Sequence, residues 1–259
     1  MFGSLHIAAT GMEAQQRKLD IIANNMSNVN TTAFKTSRAE FEEMLYQQVR
    51  APSGAGENPK PTGVEFGLGV KTAATSRDFN QGTFENTGNP LDLAIEGDGF
   101  FQVLTENGSP AFTRAGLFKI DARGRVVNQS GLELFPPITV PDDVKSLQIA
   151  PNGSVTAVLA EDDSEIEIGQ VEMTLFTNPA GLRSLGRNLF AATQASGSAK
   201  TGLPGEASFG TVAQGFLEKS NVEVVEEMVS MIASQRAYEI SSKLIRTADE
   251  MLRTITNIR

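Results

Sequence analysis

The chain has 259 residues, 40% of them hydrophobic and 20% charged, enough apolar material for one large domain or two small ones and too little charge for a disordered polymer. With 31 acidic and 22 basic residues the net charge is −9, which argues against nucleic acid and against an anionic membrane surface as the main partner. The absence of cysteine excludes disulfides, thiolate metal sites and cysteine nucleophiles; no apolar run reaches the ~18 residues of a membrane-inserting helix, and residues 1–30 lack the order of a secretory signal.

The first predicted element is a helix from about Ser4, a plausible N-cap, to about Asn28. Leu5, Met12, Leu19 and Met26 fall seven apart, with Ala8, Ile22 and Val29 on the adjoining row and Gln15 interrupting it. Asn24, Asn25, Asn28 and Asn30, then Thr31 and Thr32, place side chains that compete for backbone hydrogen bonds where the helix should stop. Residues 38–50 keep apolar positions at Phe41, Met44, Leu45 and Val49 and form a candidate second, shorter helix. Residues 51–69 carry Pro52, Pro59 and Pro61 with five glycines and read as loop or extended hairpin.

From Val70 the pattern changes to short strands between turns. Candidates are 70–75, 91–96, 100–104, 111–118, 125–128, 138–140, 146–149, 155–159, 165–168 and 171–176, separated by turn pairs such as Asn107-Gly108, Arg123-Gly124, Ser130-Gly131 and Asn152-Gly153. This spacing predicts an all-β sandwich or irregular barrel, with Glu161–Ser164 as a surface hairpin tip. No element is expected in the Gly-, Ser- and Ala-rich stretch 178–209.

The last helix, over about 221–257, opens on a capping box with Ser220 at the N-cap and Glu223 three residues on. Glu226 and Glu227 suit the positive end of its dipole, Lys243, Arg246, Arg253 and Arg259 the negative half, and Glu239 and Lys243 make an i,i+4 pair. Val224, Met231, Tyr238, Ile245 and Leu252 repeat the seven-residue spacing, with Ala237, Leu244, Met251 and Ile258 as a second row. An isolated helix cannot bury such stripes, so the two ends are expected to pair with each other or with copies of themselves. Both ends are expected to be partly unfolded in the monomer and to order on assembly.

The fold class expected is α+β: N- and C-terminal helices forming a coiled-coil layer, with a central all-β domain. Its divisions are 1–45 (N-terminal helical part), 46–69 (extended linker or hairpin), 70–215 (central β-rich domain) and 216–259 (C-terminal helix).

Catalytic constellations are wanting. Gly97-Asp98-Gly99 lacks the spacing of a phosphate loop and reads as a tight turn. His6, the only histidine, has no second ligand to complete a metal site. Asp92, Glu96 and Asp98 could be imagined as glycosidase carboxylates, but solvated strand and turn residues are the default reading. No cofactor is expected.

The stretch Ala23-Asn-Asn-Met-Ser-Asn-Val-Asn-Thr-Thr-Ala-Phe-Lys35 resembles the N-terminal signature of bacterial flagellar rod and hook proteins. Gly97–Phe101, Phe112–Gly116, Asp121–Gly131, Thr177–Leu182, Ser220–Val229 and Gln235–Glu239 follow in that family's order. The resemblance spans nearly the whole chain, and its length and the segment Tyr46–Gly67 are most like the family's distal rod members. The acidic Glu161-Asp162-Asp163 and the Phe-rich hinge Phe100-Phe101 depart from the pattern without disturbing the motif order.

What the resemblance implies is a structural subunit that polymerises with itself into a helical tube, the drive shaft between motor and hook. Its terminal helices pack as an inner coiled-coil layer and the β-rich part as the outer wall. The implied partners are further copies, proximal rod and hook proteins, bushing rings in the peptidoglycan and outer membrane, and the flagellar export apparatus. The implied place is the periplasmic basal body, reached without a cleavable signal. Tyr46 to Gly67 is associated with a straight, stiff rod. The subunit-packing set is Leu5, Met12, Leu19, Ile22, Met26, Val224, Met231, Tyr238, Ile245 and Leu252, with Asn24, Asn25 and Asn28 as either a helix stop alone or also a polar ladder between subunits. The alternatives are a proximal rod or hook protein of the same family, or an enzyme acting on peptidoglycan.

Overall fold

The computed structural model describes residues 2–50, 62–141, 143–160, 164–206 and 208–257. It has an α+β fold in two compact units: residues 1–27, 37–77 and 223–259 form the first, and 28–36 with 78–222 the second. No helix among the described residues is long and apolar enough to cross a membrane.

The first unit holds α1 (Phe2–Ser27), β1 (Ser37–Glu43), β2 (Tyr46–Arg50), β3 (Val64–Gly67), β4 (Val70–Arg77) and α2 (Val224–Asn257). Residues 38–50 are therefore strands, not a second helix. Their helix-forming Ala and Glu are overridden by an antiparallel partner: β1 pairs with β4 from Ser37↔Arg77 to Glu43↔Val70, and β2 with β3 from Tyr46↔Gly67 to Arg50↔Val64. The proline-rich stretch 51–61 and the expected tip 161–163 lie outside the described residues.

Both helix starts differ from expectation. Helix α1 already runs at Phe2, so Ser4 sits inside its first turn. Helix α2 begins at Val224, where the Glu223 carbonyl accepts the first helical bond from Glu227 N (3.0 Å). The Ser220 hydroxyl instead accepts from Val222 N. Asn221 explains the delay, because its side chain is fully engaged where a helix would have to start. Its Oδ1 accepts from Thr36 N and Oγ1 while its Nδ2 donates to the Asp78 and Asn80 carbonyls.

The second unit is β-rich. Its strands in chain order are β5 (Phe84–Asn86), β6 (Leu93–Glu96), β7 (Phe100–Leu104), β8 (Pro110–Thr113), β9 (Phe118–Ile120), β10 (Val126–Asn128), β11 (Glu133–Phe135), β12 (Val144–Ile149), β13 (Ser154–Leu159) and β14 (Glu165–Gln170). They continue with β15 (Met173–Leu175), β16 (Arg183–Gly186), β17 (Leu189–Ala191), β18 (Lys200–Gly202), β19 (Thr211–Gln214) and β20 (Phe216–Glu218). The main sheet runs β16-β17-β8-β7-β11-β10-β9, with β15 joining β7 to β18; β12-β13-β14 form a second sheet, and β19-β6 and β20-β5 are pairs. The expected strand 138–140 is no strand, only a bridge from Arg125 to Thr139, and 111–118 is split between β8 and β9.

Alternation along β7 divides the interior. Phe101 enters a large aliphatic core with Ile95, Val103, Leu134 and Val155, while Phe100 enters an aromatic cluster with Phe112, Phe176 and Phe190. Its rings meet edge to face, Phe112 and Phe176 at 4.8 Å. Phe100-Phe101 is thus a strand at the centre of the fold rather than a hinge. The Gly97-Asp98-Gly99 turn leads into it with positive φ at both glycines (103° and 149°), as a tight turn between strands requires.

Candidate functional site

In the first unit α1 and α2 pack antiparallel. Asn25 near the end of α1 meets Glu227 in the first turn of α2, and Gly11 faces Ser241 at mid-length. Small residues line the seam: Ala8 and Gly11 on α1, Ser234, Ser241 and Ala248 on α2, so the backbones approach closely. Ile22 is buried, Leu5, Met12, Leu19 and Met26 are half-buried, and Ala14 turns toward β4.

Asn25 is the polar counterpart of this seam. Its Oδ1 accepts from Ser37 N (3.0 Å), and its Nδ2 donates to the Ser37 carbonyl and to Glu227 Oε1 (both 2.9 Å). It is 1% exposed, so these bonds tie α1, β1 and α2 together inside one chain. Asn24 is exposed, and Asn28 accepts from Thr31 through both its carbonyl and its side chain. The three asparagines are thus placed differently, and the buried one is committed within its own subunit.

Helix α2 divides the expected stripe. Met231, Ile245 and Leu252 are half-buried, whereas Val224 and Tyr238 are exposed. A second apolar face lies about 180° around the helix from Ser234 and Ala248. It consists of Val225 (74% exposed), Met228, Val229 and Ile232; Ile240 is exposed further round the helix, and the exposed Leu244 and Met251 border the α1 seam, lining a cavity with Ser4, Ile7 and Ala8. The seven-residue count found Leu244 and Met251 but missed the other five, which recur at spacings of three and four. That 3.6-period signal could have found them. Glu239 pairs with Arg236 (2.8 Å), not with Lys243, and Arg253 with Asp249.

The strand ribbon carries exposed apolar residues as well: Leu45 (85% exposed), Tyr46, Val49 and Phe66. Tyr46 lies opposite Gly67, its ring over the space a Cβ would fill, and its hydroxyl donates to Glu43 Oε2 (2.9 Å). That bond and the carboxylate's charge hold the phenol above its ordinary pKa.

In the second unit three of the motif segments meet in a buried ion cluster that the sequence did not announce. Glu218 Oε1 accepts from Lys35 Nζ (2.6 Å) and Gly82 N (2.9 Å), and Oε2 accepts from Arg114 Nε (3.1 Å). Arg114 Nη1 also donates to the Gly97 and Gly99 carbonyls, closing the glycine turn. The Lys35 and Glu218 side chains are fully buried, and that of Arg114 nearly so. Burial pushes the Lys35 amine below its ordinary pKa, against the opposing pull of the Glu218 carboxylate.

Among the described residues no constellation for catalysis emerges. Asp92, expected to be solvated, is buried and accepts from Thr87 Oγ1 (2.6 Å) and Asn89 Nδ2 (3.0 Å), so it builds a turn; Glu96 and Asp98 are exposed. His6 is exposed, and among the described residues no group of three metal-ligating side chains forms.

Comparison with known proteins decides the family. Residues 5–35 match the flagella basal body rod protein family, 94–157 the D1 domain of flagellar hook protein FlgE/F/G, and 213–258 the C-terminal region of flagellar basal body rod FlgEFG proteins. The flagellar basal-body rod protein FlgG of Borreliella burgdorferi is 47% identical over 263 residues, covering 100% of this chain and 99% of its own. The chain belongs to the flagellar basal-body rod protein family. FlgG of Agrobacterium fabrum is 45% identical over 96% of each chain. The flagellar hook protein FlgE of Salmonella typhimurium is 24% identical, with 97% of this chain aligned to 99% of its own across 415 positions. The hook relative thus carries long insertions that this rod-family chain lacks. The family's N- and C-terminal patterns fall on α1 and α2, and its D1 pattern on the second unit.

Proposed function

We propose that the chain is the structural subunit of the distal rod, polymerising with itself into a helical tube that carries torque from motor to hook. The observation that carries this reading is the two-faced apolar character of α2. One face is satisfied by α1 within the chain; the other, from Val225 to Ile232, is left in water. A contiguous exposed apolar face of this length marks a protein interface. A face on one copy that meets a different face on the next makes a heterologous contact, which builds open filaments rather than closed dimers. The helices of the first unit supply the packed layer, and the expected stripe of Leu5, Met12, Leu19, Met26, Met231, Tyr238, Ile245 and Leu252 is extended by Val225, Val229, Ile232 and Ile240.

The remaining partners follow from that role: proximal rod and hook proteins at the ends, bushing rings in peptidoglycan and outer membrane around the shaft, and the flagellar export apparatus for delivery. The ribbon from Tyr46 to Gly67 acts as a stiffening contact through its exposed aromatic residues. The compact length, beside the insertion-bearing hook relative, supports a rod rather than a hook role. Electron cryotomography of cells lacking the protein is the test. A basal body truncated in the periplasm, without hook or outer ring, is the expected result. A complete rod that merely lacks a hook would refute it.

A further inference from the structure

A polar cleft of about 490 Å³ lies wholly within the second unit. Thr31, Asn128, Gln129, Ser130, Arg187 and Asn188 supply its polar lining. Arg187 is its only cation and no carboxylate lines it, in a chain that carries an excess of acidic residues. The guanidinium is exposed and has no ion-pair or hydrogen-bond partner among the described residues. Gln129 and the Ser130 hydroxyl are equally uncommitted.

The backbone beneath Arg187 is unusual for its residue type. Arg187 and Asn188 are the two central residues of the β16–β17 hairpin, with φ of 53° and 57°. Such turns favour Asn-Gly, because left-handed φ crowds a Cβ; asparagine tolerates it, a long side chain like arginine less well. Asn188 is held by a hydrogen bond from its Nδ2 to the Thr32 carbonyl (2.8 Å), which fixes the hairpin over the cleft. An unpaired guanidinium on a strained backbone, beside uncommitted hydroxyl and amide groups, is arranged for an anion.

We infer that this cleft is an intersubunit contact that receives an aspartate or glutamate side chain of a second copy, with Arg187 as the anchoring cation. Charge complementarity names the occupant: the cleft is locally positive, the chain's net charge is −9, and its copies are the abundant neighbours in a polymer. The inference rests on the self-assembly reading above.

The test uses the purified full chain and its critical concentration for polymerisation, measured by sedimentation. Arg187→Gly should raise the monomer's melting temperature, because the turn strain is relieved, yet raise the critical concentration roughly tenfold, because a charge-assisted contact is lost. Arg187→Glu should raise it further, and Arg187→Lys should fall between, lacking the planar fork. A photo-crosslinking residue in place of Gln129 should join two copies through a peptide that contains an aspartate or glutamate. Unchanged polymerisation of Arg187→Glu, or polymer without that crosslink, overturns the inference. Ile232→Asp in the exposed face of α2 separates the two readings. If it fails to polymerise while Arg187→Glu assembles normally, the cleft assignment alone is wrong. If both assemble normally, the α2 face assignment falls as well, and if the unsubstituted chain does not polymerise at all, the self-assembly reading falls.

Discussion

Replacing Glu218 by glutamine should destabilise the second unit by about 3–5 kcal/mol, the usual cost of removing one partner from a buried ion cluster. The carboxylate takes three hydrogen bonds at 2.6, 2.9 and 3.1 Å, two of them from cations with almost no access to water. Glutamine keeps one acceptor oxygen, but its amide must turn N–H toward Lys35 or Arg114, setting donor against donor. Two buried positive charges are then left without a counter-charge. Against a typical total of roughly 5–15 kcal/mol, the variant would be marginally folded at best. The choice of assay follows from composition: the chain has no tryptophan, and both tyrosines, Tyr46 and Tyr238, lie in the first unit, so tyrosine fluorescence does not report on this cluster. Hydrogen exchange of the β7 and β8 amides through a urea series does. Adding Lys35→Met to the Glu218→Gln variant should recover part of the loss, since one orphaned cation goes. A loss below about 1 kcal/mol, or no recovery in the double variant, would refute the view that these charges depend on one another.

Lys35 also predicts a pH dependence. Its folded pKa is depressed below the ordinary 10.5, so between the two values the unfolded chain binds a proton that the folded chain lacks. Stability of the second unit should therefore rise with pH across that alkaline window, and denaturation of Lys35→Met at several pH values should show a flatter slope. Asn25→Ala orphans Ser37 N and Glu227, and should cost roughly 2–4 kcal/mol in the first unit, read as a lower melting point of the helical circular dichroism signal. Gly116→Ala should be among the most damaging small changes, above about 3 kcal/mol in urea denaturation of the second unit followed by hydrogen exchange, because a Cβ there would sit 1.6 Å from the Leu93 carbonyl oxygen; Gly67→Ala, with 3.6 Å to the Tyr46 ring, should be mild in the helical melt of the first unit. A verified monomer should show less helix than the 26 and 34 residues of α1 and α2, and gain it on polymerisation; full helix content in the monomer would contradict this.

The parts of the fold that the sequence discloses are those set by local period. Long apolar repeats announce α1 and α2, and turn pairs such as Asn152-Gly153 announce the hairpins around β13. What stays hidden is decided by partners far along the chain. Residues 38–43 have a helix-like composition, and only β4, some thirty residues later, makes them a strand. Ser220 and Glu223 form a capping box on paper, but Asn221 is claimed by Thr36, Asp78 and Asn80, contacts with no local signature. The candidate surfaces divide in the same way. A seven-residue count finds one stripe of α2, because a stripe facing a single partner helix repeats that way. A helix with partners on two sides needs a second face, visible only at spacings of three and four from Val225 to Ile232. The ion cluster was least legible of all. Lys35, Arg114 and Glu218 are separate charges in the sequence, each unremarkable alone. Their meeting joins segments far apart in the chain: the end of the asparagine stretch, the Phe-Thr-Arg-Ala-Gly segment with the glycine turn that Arg114 closes, and Glu218 just before the last motif are parts of one buried contact. Assembly specificity can then rest on two separate devices, an interior fixed by mutually dependent charges and an α2 surface left apolar for the next copy.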